Sequence, residues 1–352
     1  MTAASLHCPR PAHGGDLDAI AALFTRAPTP WIDLSTGINP WAYPLPAIDA
    51  TAWTRLPSRA FEDEVRAKAA AFYGFGDAAN VVLAPGSQAL IQWLPRLRAR
   101  SRVAVFGPTY AEHAWCWAQA GHEIALLDWE EEPPAQADVV VVVRPNNPDG
   151  RSYPLDRLAA LADRLARRDG WLIVDEAFAE VAAGPSIAAV VTAPSLVVLR
   201  SFGKFFGLGG CRLGFAWAMP PLCDSLREAL GPWCVPGPAL AIAASALADA
   251  TWIAATRRQL AEAATRLDGI AAAAGLRLLG GTSLFRLYEA ADAPSCFASL
   301  AAAGILVRRF AERPSWLRFG LPASGLAEER LRSALALGAV HSSLRPDQAA
   351  AR

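Results

Sequence analysis

The chain has 352 residues, of which 53% are hydrophobic and 19% are charged, and its 33 basic residues balance 33 acidic ones. This length suits two domains with a sizeable core. A net charge of zero leaves no basic footprint for nucleic acid or for an anionic membrane, so neither is expected as a partner. A small anionic substrate stays compatible, because a pocket can be basic while the whole chain is neutral.

The cysteine and histidine patterns bear on redox compartment and metal binding. Six cysteines are scattered without a Cys-x-x-Cys pair, and five histidines include no His-x-x-x-His pair. We therefore expect reduced, buried thiols and no metal site. The segment from Met1 to Asp18 lacks the continuous apolar region of a signal peptide, and no uncharged apolar run is long enough to span a bilayer. These patterns predict a cytoplasmic protein.

The N-terminal part is rich in proline and glycine and has little periodicity, which predicts an extended arm over residues 1–45. From about Phe61 to Ala248, short apolar runs then alternate with amphipathic stretches. The apolar runs have the β-branched, charge-poor character of buried parallel strands. They are Val81–Leu83, Val103–Phe106, Ile124–Leu127, Val139–Val143, Leu172–Val174 and Leu196–Leu199. The predicted helices between them are Ser87–Arg98, Tyr110–Ala120 and Leu155–Arg168. The alternation predicts a large α/β domain over residues 46–250, with a mainly parallel sheet covered by helices.

After about Ala250 the pattern changes. A long helix is predicted from Thr251 to about Ala274. The later predicted strands are Leu276–Leu279, Leu284–Tyr288, Ile305–Val307 and Trp316–Phe319, with one helix among them. We interpret residues 251–352 as a smaller α+β domain, which the N-terminal arm joins.

Lys204 lies in a glycine-rich stretch that follows the predicted strand Leu196–Leu199. Desolvation in such an apolar turn favours the uncharged, nucleophilic amine that Schiff-base chemistry needs. Arg212, eight residues further on, can bind a phosphate through two N–H groups. A P-loop is disfavoured because no G-x-x-x-x-G-K-[ST] pattern is present. An exposed lysine on a flexible loop remains an alternative for this segment alone.

Two other predicted strands end in polar residues. Asn147 follows Val139–Val143, at the end of a strand where ligands of open α/β sheets gather. Asn-Pro and Asp-Gly are also ordinary turn formers, so a plain turn is the alternative. Asp175 directly follows Leu172–Val174, and its burial requires a partner such as a protonated pyridine nitrogen. A carboxylate satisfied by local hydrogen bonds is the alternative there.

Two motifs lie upstream. Gly86, Ser87 and Gln88 end a predicted strand and open a helix, whose free N–H groups and dipole could bind phosphate. Tyr110 follows another strand and could stack on an aromatic cofactor, or simply pack in the core. Each motif is weak alone. Because all five lie at the carboxyl ends of predicted strands, in one order along the chain, the functional interpretation is favoured.

This series of motifs resembles the class I/II aminotransferase family, which has the fold type I of pyridoxal 5'-phosphate (PLP) enzymes. The resemblance implies a PLP-dependent transferase fold: an α/β large domain with a mainly parallel seven-stranded sheet between helices, and a smaller α+β domain. It also implies PLP as the cofactor and a homodimer. Three residues are implied to act in catalysis: Lys204 as the Schiff-base lysine, Asp175 as the partner of the ring nitrogen, and Tyr110 as the stacking ring. Asn147 is implied to face the ring hydroxyl, and the implied phosphate cup is formed by Gly86, Ser87, Gln88, Ser201 and Arg212.

Within the family, four segments resemble the branch that contains the threonine-phosphate decarboxylases of cobalamin biosynthesis: His13–Asp16, Trp31–Pro40, Asp175–Phe178 and Ile305–Arg308. The branch implies decarboxylation of a small phosphorylated amino acid, L-threonine O-3-phosphate, to (R)-1-amino-2-propanol O-2-phosphate. The alternative is a histidinol-phosphate-type aminotransferase that uses 2-oxoglutarate. The implied carboxylate ligand is Arg318, and the other implied substrate-binding residues are His13, Gly37, Asn39, Asn147 and Arg308.

Two positions depart from the wider family. Phe178 stands where many transaminases have a tyrosine that bonds the ring oxygen of the cofactor, and Leu56 where they often have a tyrosine that reaches the partner subunit's cofactor phosphate. Both differences weigh against ordinary transamination. A PLP-binding regulator would carry a basic helix-turn-helix, and a nucleotide-binding α/β protein a Rossmann or P-loop glycine pattern; neither pattern is present.

Overall fold

The computed structural model describes residues 10–182 and 184–343, and side chains as far as residue 337. The chain divides into two compact units. Among the described residues, the first unit consists of residues 10–11 and Ala42–Ile253, and the second consists of Ala12–Trp41 and residues 254–343.

The described residues form strands and α-helices that alternate along much of the chain. The strands are β1 (Ile32–Leu34), β2 (Val81–Ala84), β3 (Arg102–Phe106), β4 (Glu123–Leu127), β5 (Val139–Val143), β6 (Trp171–Asp175), β7 (Leu196–Ser201), β8 (Gly214–Ala218), β9 (Arg277–Thr282), β10 (Phe285–Glu289), β11 (Ile305–Arg309) and β12 (Trp316–Gly320). The α-helices are α1 (Leu17–Leu23), α2 (Thr51–Thr54), α3 (Arg59–Tyr73), α4 (Ser87–Trp93), α5 (Glu112–Gln119), α6 (Leu155–Ala166), α7 (Phe202–Phe205), α8 (Leu222–Leu230), α9 (Gly237–Ala246), α10 (Ala250–Ala273), α11 (Ala293–Ala302) and α12 (Gly325–Ser343). Among these described helices, none is by itself both long and apolar enough to cross a bilayer, and the bent pair α9 and α10 passes that test only when taken together.

The first unit contains a seven-stranded sheet in the order β2-β8-β7-β6-β5-β3-β4. The pairs from β7 to β4 are parallel, whereas β8 pairs antiparallel with both β2 and β7. This topology confirms the expected mainly parallel sheet, and the six strands predicted from apolar runs correspond to β2 to β7. Strand β8 was not predicted from its pattern, because glycine and alanine are poor indicators of a strand and its sequence, GFAWA, contains three of them.

The second unit contains a five-stranded sheet in the order β1-β11-β12-β10-β9. Strand β1 pairs parallel with β11, and the other pairs are antiparallel. Helix α1 was not predicted, because only Ile20 of its seven residues is buried and the apolar periodicity is correspondingly weak. The carboxylate of Asp16 caps this helix by accepting a hydrogen bond from Ala19 N at 3.0 Å.

A buried cluster of ion pairs joins the ends of β5, β6 and β7. Glu176 follows β6; its Oε2 lies 2.7 Å from Arg200 Nη2, and its Oε1 lies 3.3 Å from Arg144 Nη1. The same carboxylate accepts hydrogen bonds from Ser186 Oγ at 2.6 Å and from Ile187 N at 3.0 Å. Because Arg200 lies on β7 and Arg144 directly follows β5, one carboxylate ties three strand ends together.

Glu176→Ala should strongly destabilise the protein, since it leaves two buried guanidinium groups without this carboxylate. We expect the free energy of unfolding to fall by about 3–5 kcal/mol in urea denaturation. The matched control is Glu123→Ala, which removes an exposed ion pair with Arg100 and should cost less than about 1 kcal/mol. Equal losses in the two variants would contradict the structural role of the cluster.

Candidate active site

Polar residues from three neighbouring strands of the first unit meet at one edge of its sheet. Asp175 is the last residue of β6, and Ser201 is the last residue of β7. Val143, which ends β5, is paired with Asp175. Asn147 follows in the loop after β5. The carboxyl ends of parallel strands therefore gather these predicted site residues, as ligand sites of open α/β sheets require.

The carboxylate of Asp175 is buried and held from two sides. Its Oδ1 accepts a hydrogen bond from Ala177 N at 3.0 Å, and its Oδ2 lies 2.9 Å from Nε2 of His113, which is also buried. His113 was not singled out from the sequence. Its partner lies 62 residues further along the chain, so only the fold reveals the pair. The two contacts fix the orientation of the carboxylate at the sheet edge.

Tyr110 belongs to a second hydrogen-bonded chain. Its hydroxyl donates to Gln88 Oε1 at 3.1 Å, and Gln88 Nε2 donates to Glu112 Oε2 at 2.7 Å. Burial, reinforced by the negative charge of Glu112, raises the pKa of Tyr110, so its hydroxyl remains a protonated donor. The side chain of Gln88 is thus engaged with Tyr110 and Glu112, and the part of Gln88 left for a phosphate is its backbone N–H.

The loop that carries Asn147 is held in place by the side-chain hydrogen bonds of the neighbouring residue, Asn146. The buried side chain of Asn146 accepts a hydrogen bond from Thr109 Oγ1 at 2.6 Å and donates to Pro108 O at 3.0 Å and Asp149 Oδ1 at 2.8 Å. Asn147 itself is partly exposed at the sheet edge. Asn146 was also not identified from the sequence, where it reads as ordinary turn chemistry.

Lys204 lies on α7, immediately after β7, among buried phenylalanines. Its Nζ is 5.7 Å from the ring centroid of Phe178. The chain contains one other lysine, Lys68, which is on α3 and forms an ion pair with Glu64 at 2.8 Å. Lys204 is therefore the one lysine at this sheet edge. Because the chain has only two lysines, counting them in the sequence would also have pointed to Lys204.

Arg212 lies against the turn that opens α4. Gly86 has a φ of 84°, and a Cβ added there would be 2.7 Å from Arg212 Nη2, so the guanidinium lies directly on this turn. Arg212 Nη1 also donates to Gly209 O at 3.2 Å. The guanidinium group of Arg212 and the backbone N–H groups of Ser87 and Gln88 together provide the hydrogen-bond donors that a phosphate group needs.

These residues fit PLP. The cradle at Gly86 and Arg212 suits its phosphate, the buried carboxylate of Asp175 suits its protonated ring nitrogen, and Lys204 offers an amine for its carbonyl carbon. Asp175 ends β6 at this edge of the sheet, and Lys204 and Gly86 lie on the segments that follow β7 and β2 there.

The second unit presents two arginines side by side. Arg308 on β11 and Arg318 on β12 are directly paired in register, so their side chains leave the same face of the sheet. Arg318 Nη2 donates to Ser35 O at 2.7 Å, and Arg308 Nη2 donates to Ala12 O. The two guanidinium groups give this face the donors that bind a carboxylate or a phosphate. This face is thus suited to an anionic ligand.

Three further predicted substrate-binding residues, His13, Gly37 and Asn39, also belong to the second unit, whereas Asn147 belongs to the first. His13 directly follows Ala12, whose carbonyl oxygen accepts the hydrogen bond from Arg308. Gly37 and Asn39 lie in the loop that follows β1. Asn39 is buried, and its Oδ1 accepts a hydrogen bond from Trp41 N at 2.9 Å. These residues are therefore on the chain segments that flank the arginine pair.

Comparison with known proteins adds four findings. The family model "Aminotransferase class I and II" matches residues 30–336. The threonine-phosphate decarboxylase of Pseudomonas aeruginosa is 46% identical over 329 residues, which cover 92% of this chain and 96% of that protein. The histidinol-phosphate aminotransferase of Stenotrophomonas maltophilia is 30% identical over 298 residues, covering 78% and 80%. Among solved structures, histidinol-phosphate aminotransferase from Sinorhizobium meliloti in complex with pyridoxal-5'-phosphate superposes with a TM-score of 0.81 at 20% identity, covering 97% of this chain and all of that one. This last likeness concerns the fold alone.

Gly86→Ala tests the cradle. We expect the variant to bind PLP about tenfold more weakly, because the new methyl group displaces the Arg212 guanidinium from the turn. Affinity can be measured by equilibrium dialysis of the apoprotein against PLP. Gly210→Ala is the matched control: it lies two residues before Arg212, its φ is not positive, and an added Cβ meets no atom within 4 Å. Equal affinities of the two variants would contradict the placement of the phosphate here.

Proposed function

The chain belongs to the class I and II aminotransferase family, and we propose that it is a PLP-dependent decarboxylase. Its proposed substrate is L-threonine O-3-phosphate, and its proposed product is (R)-1-amino-2-propanol O-2-phosphate, a precursor in cobalamin biosynthesis. The observation that carries the proposal is the 46% identity, over 92% of this chain, to a threonine-phosphate decarboxylase, and the pairing of Arg308 with Arg318 on one sheet face supports it. Two fixed cations match a small substrate that carries two anionic groups, a carboxylate and a phosphate.

The rival function is that of a histidinol-phosphate aminotransferase. Histidinol phosphate carries a phosphate but no carboxylate, whereas 2-oxoglutarate carries two carboxylates and would use both paired cations, so the arginine pair alone does not separate the two functions. The higher identity to a decarboxylase, 46% against 30%, supports decarboxylation. Phe178 adds to this, because its buried ring has no hydroxyl to offer the ring oxygen of the cofactor.

We assign the cofactor-binding roles from the geometry of the first unit. Lys204 would bind the carbonyl carbon of PLP, and Asp175, oriented by His113, would hold the proton on its ring nitrogen. Tyr110 would stack on the ring, and Asn147 would face its hydroxyl. The phosphate would be bound by Gly86, Ser87, Gln88, Ser201 and Arg212. When bound, PLP supplies an electron sink for the bond that breaks at Cα.

The protein's own residues would direct which bond breaks. Arg318 would bind the substrate carboxylate through its guanidinium and so hold the bond between Cα and the carboxyl carbon in the reactive orientation. After carbon dioxide leaves, Lys204 in its ammonium form would donate the proton that Cα requires and would return to the neutral amine. Arg308 would bind the substrate phosphate. His13 and Asn39, which the sequence also predicts to bind substrate, would assist it.

The substrate poses a specific chemical problem. Loss of carbon dioxide leaves an electron pair at Cα, next to the carbon that carries the phosphate, and phosphate could be expelled. Expulsion is disfavoured if the phosphate is held still and receives no proton. Arginine suits both requirements, since its guanidinium binds two phosphate oxygens and does not give up a proton at neutral pH.

Arg308→Ala should therefore change the outcome of the reaction as well as its rate. We expect the ratio of inorganic phosphate to carbon dioxide released to rise by about tenfold, because the phosphate is no longer held away from the reacting bond. A phosphate assay beside a carbon dioxide assay measures this ratio. Arg309→Ala is the control, since Arg309 is the next residue of β11 and its guanidinium lies over the Phe297 ring at 4.0 Å. An unchanged ratio in Arg308→Ala would contradict this role.

We further propose a homodimer in the cytoplasm. Three large apolar side chains near the start of the first unit are exposed, Leu45 by 64%, Trp53 by 69% and Leu56 by 66%. Exposed apolar side chains that lie together mark surfaces that contact another protein, and these three are close to one another in the chain. The described cysteines are all free thiols, which suits a reducing compartment.

The two lysines allow a direct test of the proposed reaction. Purified protein loaded with PLP should release carbon dioxide from L-threonine O-3-phosphate without any 2-oxo acid. Lys204→Ala should abolish this release, because both the cofactor link and the proton donor are lost. Lys68→Ala, which removes only a helix-surface ion pair, should keep it. Turnover only with histidinol phosphate and 2-oxoglutarate would overturn the proposal in favour of transamination.

A further inference from the structure

Ser35, the first residue after β1, makes hydrogen bonds in three directions. Its Oγ donates to Asp33 Oδ1 at 2.6 Å, and its N donates to the same oxygen at 2.8 Å. Its Oγ accepts a hydrogen bond from Gly15 N at 2.7 Å. Its carbonyl oxygen accepts the hydrogen bond from Arg318 Nη2 at 2.7 Å. Ser35 is only 1% exposed, so water is a poor substitute for these partners.

The segment of residues 12–15, which contains His13 and is called the His13 segment below, packs directly against Ser35. A Cβ added to Gly14 would be 2.6 Å from Ser35 O and 2.7 Å from Ser35 Oγ, a distance at which only glycine fits. On its other side, the segment accepts the hydrogen bond from Arg308 through Ala12 O. The segment is therefore held between Ser35 and Arg308, the residue to which we assign the substrate phosphate.

Asp33 determines how the Ser35 hydroxyl is used. The carboxylate accepts a hydrogen bond from the Ser35 hydroxyl, and this orients an oxygen lone pair of the hydroxyl toward Gly15 N. A hydrogen bond to an ionised acceptor is stronger than a neutral one, so the hydroxyl is held in this direction. The side chain of Ser35 thus accepts a hydrogen bond from the His13 segment, while its main-chain oxygen accepts one from Arg318.

We infer that Ser35 is a positioning residue that sets the spacing between the carboxylate-binding and phosphate-binding groups of the site. This inference rests on the proposed function and deepens it. The carboxylate and phosphate of the substrate are a fixed number of bonds apart, so the two protein groups that bind them require a fixed separation. One buried residue that contacts both segments provides it. Selectivity for phosphorylated over unphosphorylated amino acids then depends on the Ser35 hydroxyl.

Ser35→Ala separates the two connections, because it removes the hydroxyl and keeps the carbonyl oxygen that holds Arg318. For the PLP-loaded full-length variant, we expect KM for L-threonine O-3-phosphate and the Kd of (R)-1-amino-2-propanol O-2-phosphate to rise about tenfold. We expect kcat and the Kd of unphosphorylated L-threonine to change less than about twofold, since the carboxylate end is kept. Exchange of the Gly15 amide hydrogen should be faster in the variant. Asp33→Asn should act in the same direction.

Ser324→Ala is the matched control, because Ser324 Oγ also accepts one main-chain hydrogen bond, from Ala327 N at 3.3 Å. It should leave the preference for phosphorylated ligands unchanged. Equal weakening of phosphorylated and unphosphorylated ligands by Ser35→Ala, or no weakening of either, would overturn the inference. Wild-type protein that prefers phosphorylated ligands but releases no carbon dioxide would overturn the proposed reaction alone. Wild-type protein without that preference would overturn both.

Discussion

The parallel pairing of β5, β6 and β7 is the constraint on which the cofactor site depends. Because these strands run in the same direction, the residues that follow them emerge at one sheet edge. Val143 pairs with Asp175, and Asp175 pairs with Leu199, so the three loops start at matching levels. Glu176 then ties the same strand ends together through two arginines. The loops can therefore hold Asp175 and Lys204 at a defined separation without a contact between every pair of site residues.

The second unit meets a different requirement. Its sheet places Arg308 and Arg318 opposite each other, where their mutual repulsion must be offset. Main-chain carbonyl oxygens from Ala12 and Ser35 accept hydrogen bonds from the two guanidinium groups and orient them. Both acceptors come from the N-terminal segment, which explains why residues far from β11 and β12 in sequence belong to the same unit.

Much of the fold could be predicted because buried parallel strands consist of runs of β-branched residues. Val139–Val143 is the clearest of these runs. Asp175 and Lys204 were identifiable for the same reason, since each follows such a run. β8 was missed because its small residues carry no strand signal. His113 was missed because its partner is distant in sequence, and Ser35 because the significance of its hydroxyl lies in the packing of Gly14 against it. Patterns report local structure, whereas these roles arise from tertiary contacts.

The most direct test of the account follows the fate of both anionic groups in a single reaction. L-Threonine O-3-phosphate labelled with carbon-13 at its carboxyl group would be incubated with the PLP-loaded protein in deuterated water, without a 2-oxo acid, and observed by carbon and phosphorus NMR. The proposed decarboxylation should give labelled carbon dioxide in step with a phosphomonoester that keeps its phosphorus and gains deuterium at the former Cα. Inorganic phosphate without labelled carbon dioxide, or no change until 2-oxoglutarate is added, would contradict it.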